Sequence, residues 1–210
     1  SRSRSPSIRA FDTGPGNLPL DLAVTRLTGG RQRFDAEGRR ARQGTAHLGL
    51  VEDWLRHPFL RRRPPKSTGR ELFGREDLER RWRDLETAGV REGDRLATLT
   101  RFVAASIIAN YQWHLPAAPD RVIVCGGGAR NRALIAELAE GMGRVFPGVD
   151  VATVAEFGWP PETVEGAAFA LLARERLLGR PGNLPSTTGA RRAVVCGQVA
   201  EAGAVPEARA

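Results

Sequence analysis

Asp12 stands midway along the run IRAFDTGPGN, residues 8–17, where an apolar, strand-like stretch passes into a turn built on Gly14, Pro15 and Gly16. A carboxylate in that place serves one of two ends. It can cap the turn or the next helix by accepting backbone N–H bonds, or it can act on a ligand at the carboxyl end of a strand, where α/β sheets bind substrates. Spacing alone leaves both readings open. A second candidate lies in VCGGGARN, residues 124–131, where three consecutive glycines, Gly126, Gly127 and Gly128, precede Asn131. Bare backbone lets a ligand approach closely, and Asn131 can cap the helix it opens. The run is neither GxGxxG nor the phosphate loop with its Lys and Ser, and close helix-to-strand packing explains it equally well. The third candidate is PPKSTGREL, residues 64–72, which gathers Lys66, Ser67, Thr68 and Arg70. Its simpler reading is a linker with a Thr68-Gly69 turn.

The surrounding pattern predicts the elements that hold these residues. A short strand ends at Asp12, and after the turn Leu18, Leu20, Leu22, Val24 and Leu27 predict a helix that Gly29-Gly30 stops. Leu48, Val51, Trp54 and Leu55 predict a helix over residues 46–56, halted before Pro58. Leu96, Leu99, Val103, Ile107 and Tyr111 predict a long helix over residues 95–114. Residues 122–125 read as a strand apolar on both sides, which belongs in the covered centre of a sheet, followed by a helix with Leu134, Ile135 and Leu138 inward. A strand over residues 149–154 and a helix over residues 161–179, small-residued in its first half for tight packing, complete the ordered part. No internal repeat is visible.

A chain of 210 residues, 41% hydrophobic, can bury a core. No apolar run is long enough to span a bilayer and none follows SRSRSPS as a signal peptide would, so a soluble cytoplasmic protein is expected, with no membrane partner. Cys125 and Cys196 lack neighbours at ligand spacing and read as reduced thiols or small core residues, and no residue is assigned to a metal. The formal charge of +8 raises nucleic acid as a partner. Against it, Lys66 is the only lysine, and residues 75–83 interleave acids with arginines as a solvated helix face does. A basic module using Arg61 to Arg63 is therefore only an alternative. Residues 1–7 are expected as a disordered leader, residues 8–199 as one domain, and residues 200–210 as a loose tail.

FDTGPGN, PKSTGRE, VCGGGARN and GNLPSTTGA occur in an order and spacing that resemble the anhydro-N-acetylmuramic acid kinases over residues 10 to about 200. The resemblance implies an α/β, actin-like or sugar-kinase ATPase domain (ribonuclease H-like), its mixed sheet flanked by helices. It implies an enzyme that opens the anhydro ring of 1,6-anhydro-N-acetylmuramic acid with water and phosphorylates the 6-oxygen from ATP in peptidoglycan recycling. Asp12 then corresponds to the general base. Thr13, Gly14, Gly16 and Asn17 form the phosphate cradle, and Gly126, Gly127, Gly128 and Asn131 the nucleoside loop. Lys66, Ser67, Thr68 and Arg70 lie near the cleft, and Mg²⁺ bridges the phosphates. Family members are about twice this length and carry a GTSxDG-type phosphate loop in their N-terminal half, which this sequence lacks. The implied chain is thus a C-terminal domain whose partner is the missing N-terminal kinase domain, and a homodimer is a further expected partner. A truncated, non-catalytic kinase domain is the alternative. Gly166 departs from the family pattern, which has Ala there, at a cost of up to about 1 kcal/mol inside a helix.

Overall fold

The computed structural model describes residues 8–200, so the expected leader and residues 201–210 of the expected tail lie outside the described residues. These divide into two compact units, Ala10–Glu165 and a smaller one holding residues 8–9 and 166–200.

The larger unit is built around one long helix. Its elements are α1 (Leu18–Leu27), α2 (Leu48–Trp54), α3 (Pro58–Arg61), α4 (Arg70–Phe73), α5 (Arg75–Thr87), α6 (Glu92–His114), β1 (Arg121–Val124), α7 (Arg132–Val145) and β2 (Asp150–Thr153). Leu96, Leu99, Phe102 and Val103 recur at helical spacing along α6 and are almost wholly buried, which drives the helix into the centre of the unit. There α6 packs against α1, α2, α3 and α7. Polar residues on it bond back to the helix itself, Thr100 Oγ1 to the Leu96 carbonyl and Ser106 Oγ to that of Val103, both at 2.8 to 2.9 Å. An aromatic cluster extends this core, with Trp54 edge-on to Phe102 at 5.5 Å and Phe59 edge-on to Phe73 at 5.7 Å.

The sheet is smaller than the sequence suggests. β1 and β2 run parallel in the register Val122 to Val151 and Ile123 to Ala152, with α7 between them in the chain, the crossover that parallel strands require. Among the described residues no mixed sheet forms, because no third strand is present. A strand apolar on both sides was expected to sit centrally. With a neighbour on one edge only, β1 leaves Ile123 half exposed. Nor do residues 8–13 form a strand: the Asp12 N–H donates to the Lys66 carbonyl at 3.1 Å, a single bridge where a ladder was expected. The expected solvated face over residues 75–83 is likewise only half solvated. α5 buries Leu78, Trp82 and Leu85, and beside them the ion pair of Asp77 and Arg81.

Most of α8 (Thr163–Leu177) and all of α9 (Pro185–Thr188) fall in the smaller unit. No residue of α8 is buried, so the tight packing expected of its small residues is not met, and Phe169, Leu171 and Leu172 stand exposed. Asn183 ties this unit together: its Nδ2 donates to the Arg192 carbonyl and its Oδ1 accepts from the Val194 N–H. Both cysteines are free thiols, but Cys125 is exposed and Cys196 half-buried, so neither is a core residue. No helix among the described residues is long and apolar enough to cross a membrane.

Candidate functional site

Asp12 does not stand alone at its turn. Its Oδ2 accepts from the Ser67 hydroxyl and from the Thr68 N–H, each at 2.8 Å. The loop that read as a linker therefore returns across 55 residues to grip the carboxylate. Oδ1 makes no hydrogen bond among the described residues and is left for another partner. The Thr68 hydroxyl is buried with no hydrogen-bond partner among the described residues. Lys66 differs from expectation, since its side chain is only 5% exposed and faces the core instead of a cleft. Its ammonium donates to the carbonyls of Phe59 (3.2 Å) and Leu60 (2.9 Å) and to Asn110 Oδ1 (2.5 Å). Burial holds its pKa below the ordinary lysine value, Arg62 adds to the effect, and Asp12 opposes it.

The turn after Asp12 is pressed against α6. Gly14 adopts φ +146°, and a Cβ there would stand 2.7 Å from Leu60 Cδ2 and 3.1 Å from Ser106 Oγ, so only glycine fits. Asn110 Nδ2 donates to the Thr13 carbonyl at 2.9 Å and to that of Ser106, fixing the turn from below. Above it lies a recess of about 260 Å³ lined by Gly14, Gly16, Asn17, Thr68 and Arg70. Arg70 is exposed, and its side chain makes no hydrogen bond or ion pair among the described residues.

Asn17 connects this recess to the glycine loop. Its side chain does not cap α1; instead, a Cβ built on Gly127 would stand 3.3 Å from its Nδ2 and one on Gly128 3.4 Å from its Oδ1. The loop is held by the Gly126 N–H, which donates to the Pro161 carbonyl. A second recess of about 280 Å³ opens here, lined by Asn17, Asp21, Phe34, Glu37, Gly127 and Asn131. Burial raises the Asp21 pKa above the usual carboxylate value. Asn131 behaves as its sequence position predicts: Oδ1 accepts from the N–H groups of Ala133 and Leu134, both at 3.1 Å, and caps α7. Asn131→Ala should lower stability by about 1 kcal/mol in urea denaturation, because it strips two N–H groups of their acceptor.

The expected residues thus form two adjoining groups, Asp12 to Asn17 with Ser67, Thr68 and Arg70, and Gly126 to Gly128 with Asn131. Sequence reasoning missed Asn110, Asp21 and Phe34. Asn110 had a readable sign, for a polar residue stands at helical spacing from Val103, Ser106 and Ile107 on a buried face. Among the described residues, no cluster of three or more His, Cys, Asp or Glu could hold a metal ion.

Residues 4–202 match the family model described as anhydro-N-acetylmuramic acid kinase. Similar curated proteins of that name include one from Cyanothece sp., 48% identical over 192 residues (91% of this chain and 50% of that protein). Another from Picosynechococcus sp. is 46% identical over 189 residues, 90% of this chain and 49% of its own length. The chain spans about half the length of the curated relatives it matches.

Proposed function

We propose, given that the chain belongs to the anhydro-N-acetylmuramic acid kinase family, that it forms the C-terminal half of a cytoplasmic, ATP-dependent kinase for 1,6-anhydro-N-acetylmuramic acid. The reading includes an actin-like domain whose sheet is completed by strands outside this chain, and an N-terminal kinase domain as partner. The observation that carries it is the convergence of three sequence motifs: PKSTGRE grips the Asp12 carboxylate of FDTGPGN through Ser67 and Thr68, and Asn17 of FDTGPGN lies against the glycine loop of VCGGGARN.

Asp12 takes a proton from the water that attacks the anomeric carbon. As the bond from that carbon to the 6-oxygen breaks, the 6-oxygen attacks the γ-phosphorus and ADP leaves. ATP supplies the phosphoryl group, and the site must position it and neutralise its charge. Residues present here suit that task. Gly14 and Gly16 bare their backbone beside the N-terminus of α1, Arg70 is a cation at the same recess with no ion pair among the described residues, and the Thr68 hydroxyl, without a partner among them, offers a donor. The nucleoside takes the recess that Gly127 and Asn131 line. Mg²⁺ would be held largely by phosphates and water, with Asp12 as the carboxylate within reach.

The test mixes this chain with an N-terminal kinase domain, ATP, Mg²⁺ and the anhydro sugar, and follows the sugar 6-phosphate by ³¹P NMR. Product formed only by the mixture is expected. A folded mixture that forms none would overturn the reading in favour of a family domain without catalysis.

A further inference from the structure

Lys66 carries a buried charge with no carboxylate bonded to it. Two backbone carbonyls, the Asn110 amide oxygen and the ring faces of Phe59 (4.9 Å) and Phe11 (5.9 Å) surround its ammonium. Burying a cation in this way is costly unless it is fully hydrogen-bonded, and a methionine would fill the same volume without that cost. What the charge does is orient Asn110. An amide side chain can present either its oxygen or its NH₂ to a neighbour, and the ammonium, a donor only, can bond just the oxygen. The NH₂ group is therefore turned to the carbonyls of Thr13 and Ser106.

The consequence reaches the turn. The Thr13–Gly14 peptide is trans, so its N–H points opposite to its carbonyl. With the Thr13 carbonyl held on Asn110 beneath, the Gly14 N–H is directed away from α6. It makes no hydrogen bond among the described residues, and Gly14 lines the recess beside Asp12. We infer that Lys66 is a positioning residue: acting through Asn110, it sets the Thr13–Gly14 peptide so that the Gly14 N–H is offered to a phosphate oxygen. The Lys66 carbonyl, which accepts the Asp12 N–H, fixes the preceding residue from the other side. One residue thus holds both, the base through its backbone carbonyl and the adjoining donor through its ammonium and Asn110. This inference rests on reading residues 12–17 as the phosphate end of a kinase site.

Two variants test it. Lys66→Met removes the cation and keeps the volume, while Asn110→Asp keeps an oxygen for Lys66 and removes the NH₂ donor to the Thr13 and Ser106 carbonyls. In ¹⁵N and ¹³C NMR of the whole chain, both are expected to shift and broaden the Gly14 amide and Thr13 carbonyl signals while the amides of Leu99 and Phe102 stay unchanged. In the kinase assembled with the N-terminal domain, both should lower kcat about tenfold to a hundredfold through misplacement of the reacting groups, with KM for the sugar within about twofold. If Lys66→Met fails to fold, Asn110→Asp decides alone. Unmoved Gly14 and Thr13 signals in Asn110→Asp would overturn the relay, as would an unchanged kcat. The NMR signature needs no turnover, so an inactive wild-type mixture counts against the kinase reading and not against the relay.

Discussion

Asp12→Asn is expected to lower phosphoryl transfer to the anhydro sugar by about two to four orders of magnitude, the usual contribution of a general base, while the fold stays intact. The two halves of that expectation have separate causes. An amide cannot take up a proton from water at neutral pH, so the chemical step loses its acceptor. The loop contacts survive because the Asn oxygen can take the place of Oδ2 and accept from both the Ser67 hydroxyl and the Thr68 N–H, which leaves the new NH₂ in the place of Oδ1. Stability should therefore change by no more than about 1 kcal/mol, read as the urea midpoint of this chain. Rates come from ADP release and from ³¹P NMR of the product in the mixture with the N-terminal domain. A variant that keeps its rate would reduce Asp12 to a turn-capping carboxylate, the structural reading its sequence position always allowed.

That ambiguity marks what a sequence discloses. Asp12 was visible because a charge closing an apolar run breaks the pattern, and Asn131 because a cap residue before a periodic helix has few other uses. Both are local signals. Lys66 and Asn110 were not legible as partners of the turn, since the bonds that matter join residues 12 to 67 and 13 to 110, separations over which no periodicity carries information. β1 failed for a different reason. Its apolar residues report a preference for burial, but the number of strands beside it depends on chain segments that its own sequence does not describe. In α5 the alternating charges concealed a pattern that was present: Asp77 and Arg81 are four apart and share a face with Leu78, Trp82 and Leu85.

Arg81 is consequently where a substitution should cost most in stability. Its Nε donates to Asp77 Oδ2 at 2.8 Å and its Nη2 to Asp77 Oδ1 at 3.1 Å, with both side chains about 5% exposed or less. The guanidinium also lies 4.0 Å from the Phe102 ring centroid and 5.0 Å from that of Trp54, so it joins α5 to the aromatic core. Arg81→Ala leaves Asp77 buried with only the largely exposed Arg80 for a partner, and breaking a buried pair in this way costs about 3–5 kcal/mol. Urea denaturation measures the loss. The same variant should move the His57 titration upward in NMR. Burial is the main cause of the low His57 pKa and Arg81 the next, so His57 recovers only part of the way to its ordinary value. Asp77→Asn combined with Arg81→Met separates the two sources of the penalty. If the stranded carboxylate is the greater part, the double variant regains most of the lost stability, because neither charge remains buried. If the rings' hold on the guanidinium dominates, the double variant stays nearly as unstable as Arg81→Ala, and α5 is anchored by cation–π packing more than by its ion pair.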